Sequence, residues 1–347
     1  MLKKYTIRDI AEMAGVSKGT VDRVLHNRGK VSEIAFKKVS KILDEIDFKP
    51  NLIAKNLKNN KIYHICVLLP DPKMDSYWDP CLKGIDDVIK ELGAFGINID
   101  TFFFDPTSTK SFLNKNLMVQ KIKPDAVLLV PLFFKEAIVA IEGYNELGIM
   151  VSTFNNHIES AVVKSFIGQN LFQSGRIAAK LLHSIMKGGD IAIIHIDEKY
   201  KNAIHMQEKE QGFKSYYKEL AHFGHEIHVS NLKNTDFNKS IAIFLLKHPN
   251  IKGIFVTTSK GFHVADYIQN NINKNIALVC YDLLVENITY LKNGTIDFLI
   301  HQNPKQQTYL GLKCLVEYFL FDKEVPSQLL LPIDIINSEN ATPFMRD

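Results

Sequence analysis

Residues 62–347 alternate short apolar runs with longer stretches of helical pattern, and this alternation limits the fold more than any other feature. The runs HICVLLP, INIDTFFFD, DAVLLVP and IMVSTFN come first, and IAIIHI, EIHVSNL, GIFVTTS, IALVCYD and IDFLIHQ follow. Short strands that alternate with helices form parallel sheets with helices on both faces. About 285 residues exceed what one core usually serves. We therefore expect two α/β lobes, one for each set of runs, with the chain crossing between them near residues 155–165 and 295–305.

Residues 1–61 have a different pattern, which predicts three short helices. Thr6 precedes Asp9 by three positions, close to a capping box at a helix start. Gly15 can end that helix in the left-handed conformation, Ser17 can cap a second helix, and Ser32 can cap a third. Each helix has apolar residues at helical spacing on one side: Ile7, Ile10, Ala11 and Ala14; Val21, Val24 and Leu25; Ala35, Val39, Ile42 and Ile46. Two such helices joined by a tight turn form a helix-turn-helix unit.

The second of these helices would present its polar side to the DNA major groove. Lys18, Gly19, Asp22 and Arg23 lie on that side. We expect Gly19 to allow close approach of the backbone and Arg23 to make a bidentate contact with a guanine. A small α-helical cap that packs on another part of the protein is the alternative.

Charge favours nucleic acid over the helical cap. Residues 1–61 contain 14 Lys or Arg and 7 Asp or Glu, whereas the remaining residues contain 28 and 31. The first segment therefore has a net charge of +7 and the rest a net charge of −3. A basic module on a mildly acidic body is typical of a nucleic-acid-binding protein.

The segment TIRDIAEMAGVSKGTVDRVLHNRGKVSEIAFKKVSKILDEIDFKPNLIAKNLK resembles the headpiece of the lactose/galactose-repressor (LacI/GalR) family of bacterial transcription regulators. The similarity covers residues 5–58 without a gap, and it implies a DNA-binding transcriptional regulator. Relatives usually have Ser where Asp22 stands, so this carboxylate would either repel phosphate or orient Arg23. Together, the helix geometry and the resemblance suggest these DNA-binding residues: Thr6, Ser17, Lys18, Gly19, Thr20, Arg23, His26, Asn27, Lys30, Ser32, Asn51, Ala54 and Leu57.

A single headpiece contacts only half of a two-fold site, so we expect a homodimer on palindromic operator DNA. Some relatives add a C-terminal leucine-heptad helix that makes tetramers. The final residues PIDIINSENATPFMRD have no heptad pattern. A dimer should therefore suffice.

Residues 50–57, PNLIAKNL, correspond in relatives to a hinge helix that forms on operator DNA. There, a Leu at the position of Leu57 inserts into the minor groove. The segment follows the helix-start residue Pro50 and is too short to be stable alone. Lys55 and Lys58 flank Leu57, as basic residues often flank such inserted side chains. An ordinary polar linker is the alternative. The predicted domains are a headpiece at 1–49, a hinge at 50–61 and an effector-binding and dimerisation domain at 62–347.

The segments IGQNLFQSGRIAAKLL and VCYDLLVENITYLKNGTIDFLIHQNPKQQTYLG resemble the family's effector domain, which has the type-1 periplasmic-binding-protein fold. VTTSKG departs from the family, because relatives usually have Asn-Asp where Thr258 and Ser259 stand. Open α/β sheets bind ligands at the carboxyl ends of their strands. Gln207 and Lys209 match family positions that reach the ligand, the second of which is commonly Arg. The candidate effector-binding residues are Trp78, Asp79, Asn155, Gln207, Lys209, Thr258, Asp282 and Gln302.

This set of side chains suits a polyhydroxylated effector such as a sugar or a sugar derivative. Carboxylates and amides pair with hydroxyl groups, and an indole packs on the apolar face of a sugar ring. Lys209 could also neutralise a carboxylate or phosphate, which leaves a sugar acid, a phosphorylated sugar or a purine open. Trp78 could instead anchor the core, and Asp282 could cap the helix that follows it.

Other functions have little support in the sequence. The glycine-rich, nucleophile-elbow and zinc-peptidase motifs of enzymes are absent, so we expect no catalysis, no cofactor and no metal. His195, His205 and His301 are expected to be polar groups at strand ends or in the cleft. The four cysteines are widely spaced, which predicts buried thiols rather than disulfides or zinc ligands. No run reaches the ~20 apolar residues that span a membrane, and no export signal precedes the headpiece. These features indicate a cytoplasmic regulator. An exported solute-binding protein with a degenerate headpiece is the alternative.

Overall fold

In the computed structural model, the chain divides into two compact units, Met1–Lys58 and Asn59–Asp347. The residues that the structure describes are 5–25, 29, 31–46, 61–197, 202–220, 224–272 and 276–345. Almost all of the predicted hinge, 50–61, lies outside them. The predicted domain bounds therefore stay predictions.

The described residues of the first unit form three helices, as predicted: α1 (Ile7–Ala14), α2 (Lys18–Leu25) and α3 (Glu33–Glu45). The Thr6 side chain accepts a hydrogen bond from the Asp9 backbone N–H, and Asp9 Oδ2 accepts from the Thr6 N–H at 2.7 Å, which completes the capping box. Gly15 adopts φ 63° after α1. Ser17 Oγ accepts from the Thr20 N–H at 3.1 Å, and Ser32 Oγ caps α3. These caps fix the start of each helix and the end of α1.

The core of this unit is small. Ile10, Val21 and Val39 are fully buried, and Val24 is nearly so. Ile7 was expected on the buried side of α1, but it is exposed. A unit this small has little interior, so only the central part of each apolar stripe is covered.

The described residues of the second unit form two six-stranded sheets, each with helices on both faces. The first sheet has the order β11-β5-β4-β3-β1-β2, and all its strands are parallel. Its strands are β1 (Tyr63–Pro70), β2 (Ile97–Phe104), β3 (Ala126–Leu129), β4 (Met150–Phe154), β5 (Val163–Gly168) and β11 (Gln328–Leu330). Its helices are α4 (Asp79–Leu92), α5 (Thr109–Ile122), α6 (Phe134–Glu146) and α12 (Pro304–Phe321).

The second sheet has the order β12-β10-β9-β8-β6-β7, and only β12 is antiparallel to its neighbour. Its strands are β6 (Asp190–Ile196), β7 (Ile227–Leu232), β8 (Ile251–Val256), β9 (Ala277–Tyr281), β10 (Phe298–His301) and β12 (Asp334–Ile336). Its helices are α7 (Leu171–Ile185), α8 (Ile204–Lys218), α9 (Phe237–Lys247), α10 (Gly261–Asn271) and α11 (Val285–Lys292). The two-lobed, parallel-sheet architecture expected from the alternating pattern is confirmed.

The chain crosses between the lobes three times, which corrects the prediction of two crossings. The crossing expected near 155–165 is wrong, because β5 pairs with β4 and stays in the first sheet. The chain leaves that sheet only after Gly168. The crossing expected near 295–305 is confirmed, since β10 belongs to the second sheet and α12 packs in the core of the first. A third crossing separates β11 from β12, whose three residues each are too few to give a periodic signal.

The side chain of Gln169 joins the three crossings. Its Nε2 donates to the carbonyl oxygens of His301 at 2.9 Å and Pro332 at 2.6 Å. Gln169 directly follows β5, at the first crossing. His301 ends β10, at the second crossing, and Pro332 lies between β11 and β12, at the third. Gln169 is 2% exposed. A buried amide therefore fixes the spacing of the segments that connect the lobes.

The cysteines are free thiols: Cys66, Cys81 and Cys280 are buried and Cys314 is half-buried. Burial raises the pKa of Cys66 and Cys81 to about 12, so these thiols stay protonated and unreactive. Within the described ranges, every helix is too short or too polar to cross a membrane.

Helices α7 and α8 cross where each carries a glycine. A Cβ on Gly175 would overlap the backbone carbonyl of Lys209, and a Cβ on Gly212 would overlap that of Phe172. The two backbones can approach this closely only because both positions lack a side chain. The crossing therefore fixes the position of α8, which carries Lys209.

We predict that Gly175→Ala lowers the free energy of unfolding of the second unit by about 1–3 kcal/mol, because the added methyl group forces the helices apart. Urea unfolding followed by the fluorescence of Trp78, the single tryptophan, monitors this unit. The control is Gly224→Ala, where a Cβ would have no atom within 4 Å. Equal stability of Gly175→Ala and the control would contradict the close helix contact.

Candidate functional site

A cavity of about 320 Å³ lies at the carboxyl ends of the strands of both lobes. Its walls include residues that follow β1 and β4 of the first lobe and β6, β8, β9 and β10 of the second. Six of the eight candidate effector-binding residues line it: Trp78, Asn155, Lys209, Thr258, Asp282 and Gln302. The cavity is large enough for a small metabolite.

The other two candidates, Asp79 and Gln207, do not line the cavity. Asp79 is exposed at the first position of α4, directly after the buried Trp78. Gln207 is half-buried on α8 two positions before Lys209. Residues two apart on a helix lie on different faces, so Gln207 and Lys209 cannot both face the cavity.

Asp282 has a buried carboxylate that two donors of one residue hold in place. It follows β9, has φ 66° and is 2% exposed. Its Oδ1 accepts from the Gln302 backbone N–H at 2.9 Å, and its Oδ2 accepts from Gln302 Nε2 at 2.7 Å. The alternative role as a cap for α11 is not observed, because the N-cap there is Leu284 and has no side-chain bond. Asp282 and Gln302 therefore form one acceptor unit in the cavity wall.

Trp78 serves the core as well as the cavity wall. It is 3% exposed and packs edge-to-face against Tyr77 at 4.7 Å and Phe154 at 6.4 Å between ring centroids. Trp78 therefore anchors the core of the first lobe and also lines the cavity. An aromatic ring fixed in this way presents a rigid apolar surface.

Tyr77 and Asn155 form a second polar pair, of which the sequence suggested only Asn155. Asn155 follows β4, has φ 69° and donates from Nδ2 to Tyr77 Oη at 2.5 Å. Burial raises the pKa of Tyr77 well above its usual value, and the negative charge of Asp282 adds to the rise. The Tyr77 hydroxyl group therefore stays neutral and can donate. Tyr77 lies in the short turn Ser76–Trp78 before α4 and not directly after a strand, so the sequence pattern did not single it out.

Lys209 is 2% exposed, and the protein itself accommodates its charge. Nζ donates to the Thr257 carbonyl oxygen at 3.0 Å and lies 3.7 Å from the centroid of the Tyr281 ring, a cation–π contact. Ser174 on α7 hydrogen-bonds Tyr281 Oη at 2.8 Å, which holds that ring in place. These contacts hold the ammonium group in one place at the cavity wall.

A buried network lies behind this wall. His195 bonds Thr257 Oγ1 through Nδ1 at 2.7 Å and Glu210 through Nε2 at 2.8 Å. Glu210 also pairs with Lys214 at 2.5 Å. His205 lines the cavity, and His301 Nδ1 lies 3.7 Å from Asp282. All three histidines occupy strand-end or cleft positions.

Several charged residues of the cavity wall were not singled out from the sequence. Asp197, which follows β6, pairs with Lys260 at 3.1 Å. The strand-end rule that found Asp282 would also have found Asp197. Burial lowers the pKa of His263, so this imidazole is neutral near pH 7. In the part of the chain that the structure describes, no group of three His, Cys, Asp or Glu could hold a metal ion.

The candidate nucleic-acid interface lies on α2 and its flanking turns. Lys18, Gly19 and Arg23 are exposed, as expected from the helical spacing, and so is Asp22. Thr20 is half-buried and hydrogen-bonds Ser17 through its hydroxyl group at 2.9 Å. Thr6 and Ser32 are helix caps. The candidates that lie outside the described residues are His26, Asn27, Lys30, Asn51, Ala54 and Leu57.

Comparisons with known proteins match both parts of the chain. Residues 65–323 match the family model of the periplasmic binding protein domain, and residues 6–51 match that of the lacI family of bacterial regulatory proteins. The chain is 39% identical to catabolite control protein A of Streptococcus mutans over 83 residues. These residues make up 24% of this chain and 25% of that protein. It is 24% identical over 356 residues to the ribose operon repressor of Halalkalibacterium halodurans, 97% of this chain and 98% of that protein.

The chain spans only 25–30% of the length of the curated relatives with which it shares 38–39% identity. A solved structure is similar over more of the chain. It comes from Bacteroides fragilis, is described as a LacI transcriptional regulator and has 30% sequence identity with a TM-score of 0.75. The match covers 82% of this chain and 99% of that one.

We predict that Gln302→Glu destabilises the protein more at pH 8 than at pH 5. The new carboxylate would lie beside Asp282 in a buried site, so the folded protein would bind a shared proton and one pKa would rise above its unfolded value near 4.3. Stability is then lost as pH rises through that raised pKa, and the deficit relative to the wild type should be about 1–3 kcal/mol larger at pH 8. Urea unfolding at both values measures it. The exposed control Gln173→Glu should show no such dependence, and a pH-independent deficit in Gln302→Glu would contradict the pairing.

Proposed function

Because the chain belongs to the lacI family of bacterial regulatory proteins, we propose that it is a transcription regulator whose affinity for operator DNA is controlled by a small metabolite. The observation that carries this proposal is the polar cavity at the strand ends of both lobes, in a chain that also has a helix-turn-helix unit. A ligand held by residues of both lobes would favour one arrangement of the lobes over another.

The metabolite is a sugar or a sugar derivative. Asp282 and Gln302 offer acceptors, Asn155 and Thr258 offer groups that pair with hydroxyls, and Trp78 provides a rigid apolar surface. The ribose operon repressor of Halalkalibacterium halodurans, a relative over nearly the whole chain, is consistent with this class. A phosphorylated sugar, a sugar acid or a purine is the second candidate, because Lys209 would pair with an anionic group if its own contacts left its charge available.

The headpiece, residues 1–49, is the DNA-binding part, residues 50–61 are a hinge, and residues 62–347 bind the effector and join two copies. Two headpieces of a homodimer would contact the two halves of a palindromic operator. The capped starts of α1–α3 and the exposed Lys18 and Arg23 support DNA binding over a degenerate headpiece on a solute-binding protein. Since the partner is bacterial operator DNA, we place the protein in the cytoplasm, without a catalytic role.

The function is tested by an electrophoretic mobility shift with DNA from upstream of the gene, in the presence and absence of sugars. We expect sequence-specific binding that one sugar changes. Asp282→Asn should keep the basal shift but weaken the sugar response, because it removes a charged acceptor worth about 1–3 kcal/mol to the ligand. Asn tolerates positive φ, so the backbone is retained. Binding that is blind to sequence would contradict the proposal, and a wild-type response in Asp282→Asn would remove this residue from the ligand site.

For the headpiece, we predict that Arg23→Ala relaxes the preference for one symmetric base pair in each half-site, at a cost of about 1–3 kcal/mol for the preferred base. Binding to operators varied at every position measures this preference. The matched control is Lys41→Ala, an exposed cation on α3. A uniform loss of affinity in Arg23→Ala across all operators would make Arg23 a phosphate contact.

For the hinge, we predict that Leu57→Ala weakens operator binding and reduces DNA bending without changing the half-site preference.

A further inference from the structure

The charge of the metabolite can be inferred from the cavity wall, and this inference rests on the proposed function. Lys209 alone would suggest an anionic ligand. Its ammonium group, however, donates to the Thr257 carbonyl oxygen and lies on the face of Tyr281. Carbonyl and ring together stabilise the charge without a ligand anion. A buried lysine here is therefore no evidence for a phosphate or a carboxylate.

The other charged groups of the cavity are mostly acidic. Lys260 is paired with Asp197 at 3.1 Å, so their charges offset each other. His263 adds no positive charge near pH 7, because burial lowers its pKa. Among the described residues, the charged lining groups comprise four carboxylates, Asp75, Asp197, Asp282 and Glu286, and two ammonium groups, Lys209 and Lys260. Carboxylates thus exceed ammonium groups among them.

Asp282 adds a second, independent observation. Its carboxylate is 2% exposed and is held by the two N–H donors of Gln302, neither of which carries a charge. Among the described residues, no lysine or arginine lies within 4.0 Å of it, and the basic group within that distance is His301 at 3.7 Å. A buried carboxylate that has no lysine or arginine partner is costly. Donors of a ligand would lower that cost, and a ligand anion would raise it.

We propose that the cavity binds a polyhydroxylated ligand without negative charge, either neutral or amine-bearing, and excludes sugar acids and sugar phosphates. Hydroxyl or ammonium groups of the ligand donate to Asp282. The further carboxylate Glu286 repels anions at the cavity wall. Like charges placed against the wrong ligand are a common source of specificity.

Calorimetric titration of the full chain with matched sets of compounds tests this selectivity. Each set contains a neutral sugar, its 2-amino derivative, its uronic acid and its 6-phosphate, with glucose and galactose as parents. In a set that binds, we expect the neutral or amino compound to bind at least about tenfold more tightly than the acid and the phosphate. An acid or phosphate that binds as tightly or more tightly would overturn the proposal while the regulator function stands. If no compound in any set binds, the proposed function fails, and the charge selectivity fails with it.

Two variants that change the charge of the cavity wall in opposite directions test whether charge, and not the shape of the cavity, sets the selectivity. Glu286→Gln removes a negative charge and should raise the affinity for the acid relative to the neutral compound about threefold or more. Lys260→Gln removes the cation that offsets the charge of Asp197 and should lower the same ratio. Glu142→Gln, an exposed carboxylate on α6 that does not line the cavity, should leave it unchanged. If Glu286→Gln and Lys260→Gln move the ratio no more than Glu142→Gln does, the wall charges do not set the selectivity and the proposal is wrong.

Discussion

The cavity depends on the buried amide of Gln169, which holds the three lobe crossings at a fixed spacing. Its Nε2 donates to two carbonyl oxygens that belong to crossings far apart in the chain, those of His301 and Pro332. Gln302, which holds the Asp282 carboxylate, follows His301 directly. The bond to Gln169 therefore also sets where the Asp282–Gln302 unit lies. A change in the arrangement of the lobes must pass through these crossings, and Gln302 belongs both to a crossing and to the cavity wall.

The position of Lys209 depends on a second constraint, the contact between α7 and α8. The backbone of Lys209 lies against Gly175, and the neighbouring Ser174 holds the Tyr281 ring beneath the ammonium group. One turn of α7 therefore positions both the backbone of Lys209 and, through Tyr281, its ammonium group. The network of His195 and Glu210 fixes Thr257, whose carbonyl accepts from Lys209. A charge that is held this firmly can be counted in the electrostatics of the cavity.

Much of the fold follows from local sequence, whereas its crossings do not. The strands of both lobes carry apolar runs that are visible in the sequence, and the caps at Thr6, Gly15 and Ser17 mark the helices of the first unit. The edge strands β11 and β12 have three residues each, so their pairing depends on the whole sheet. The strand-end rule located Asn155, Asp282 and Gln302 because parallel strands end at one edge of a sheet. It gave no information on Tyr77, whose place depends on the packing of a turn, or on Gln207, whose orientation depends on helix rotation.

The strand ends also explain which residue types form the cavity wall. Asn155, Asp197 and Asp282 are each the first residue after a strand, and each has a φ between 65° and 69°. Among residues with a side chain, Asn and Asp adopt this left-handed conformation most readily. The backbone therefore restricts these positions to a neutral amide or a carboxylate of nearly the same shape. An exchange of Asn for Asp changes the charge of the cavity by one unit with little strain. The charge of the ligand can thus be selected at these positions without rebuilding the turns that hold them.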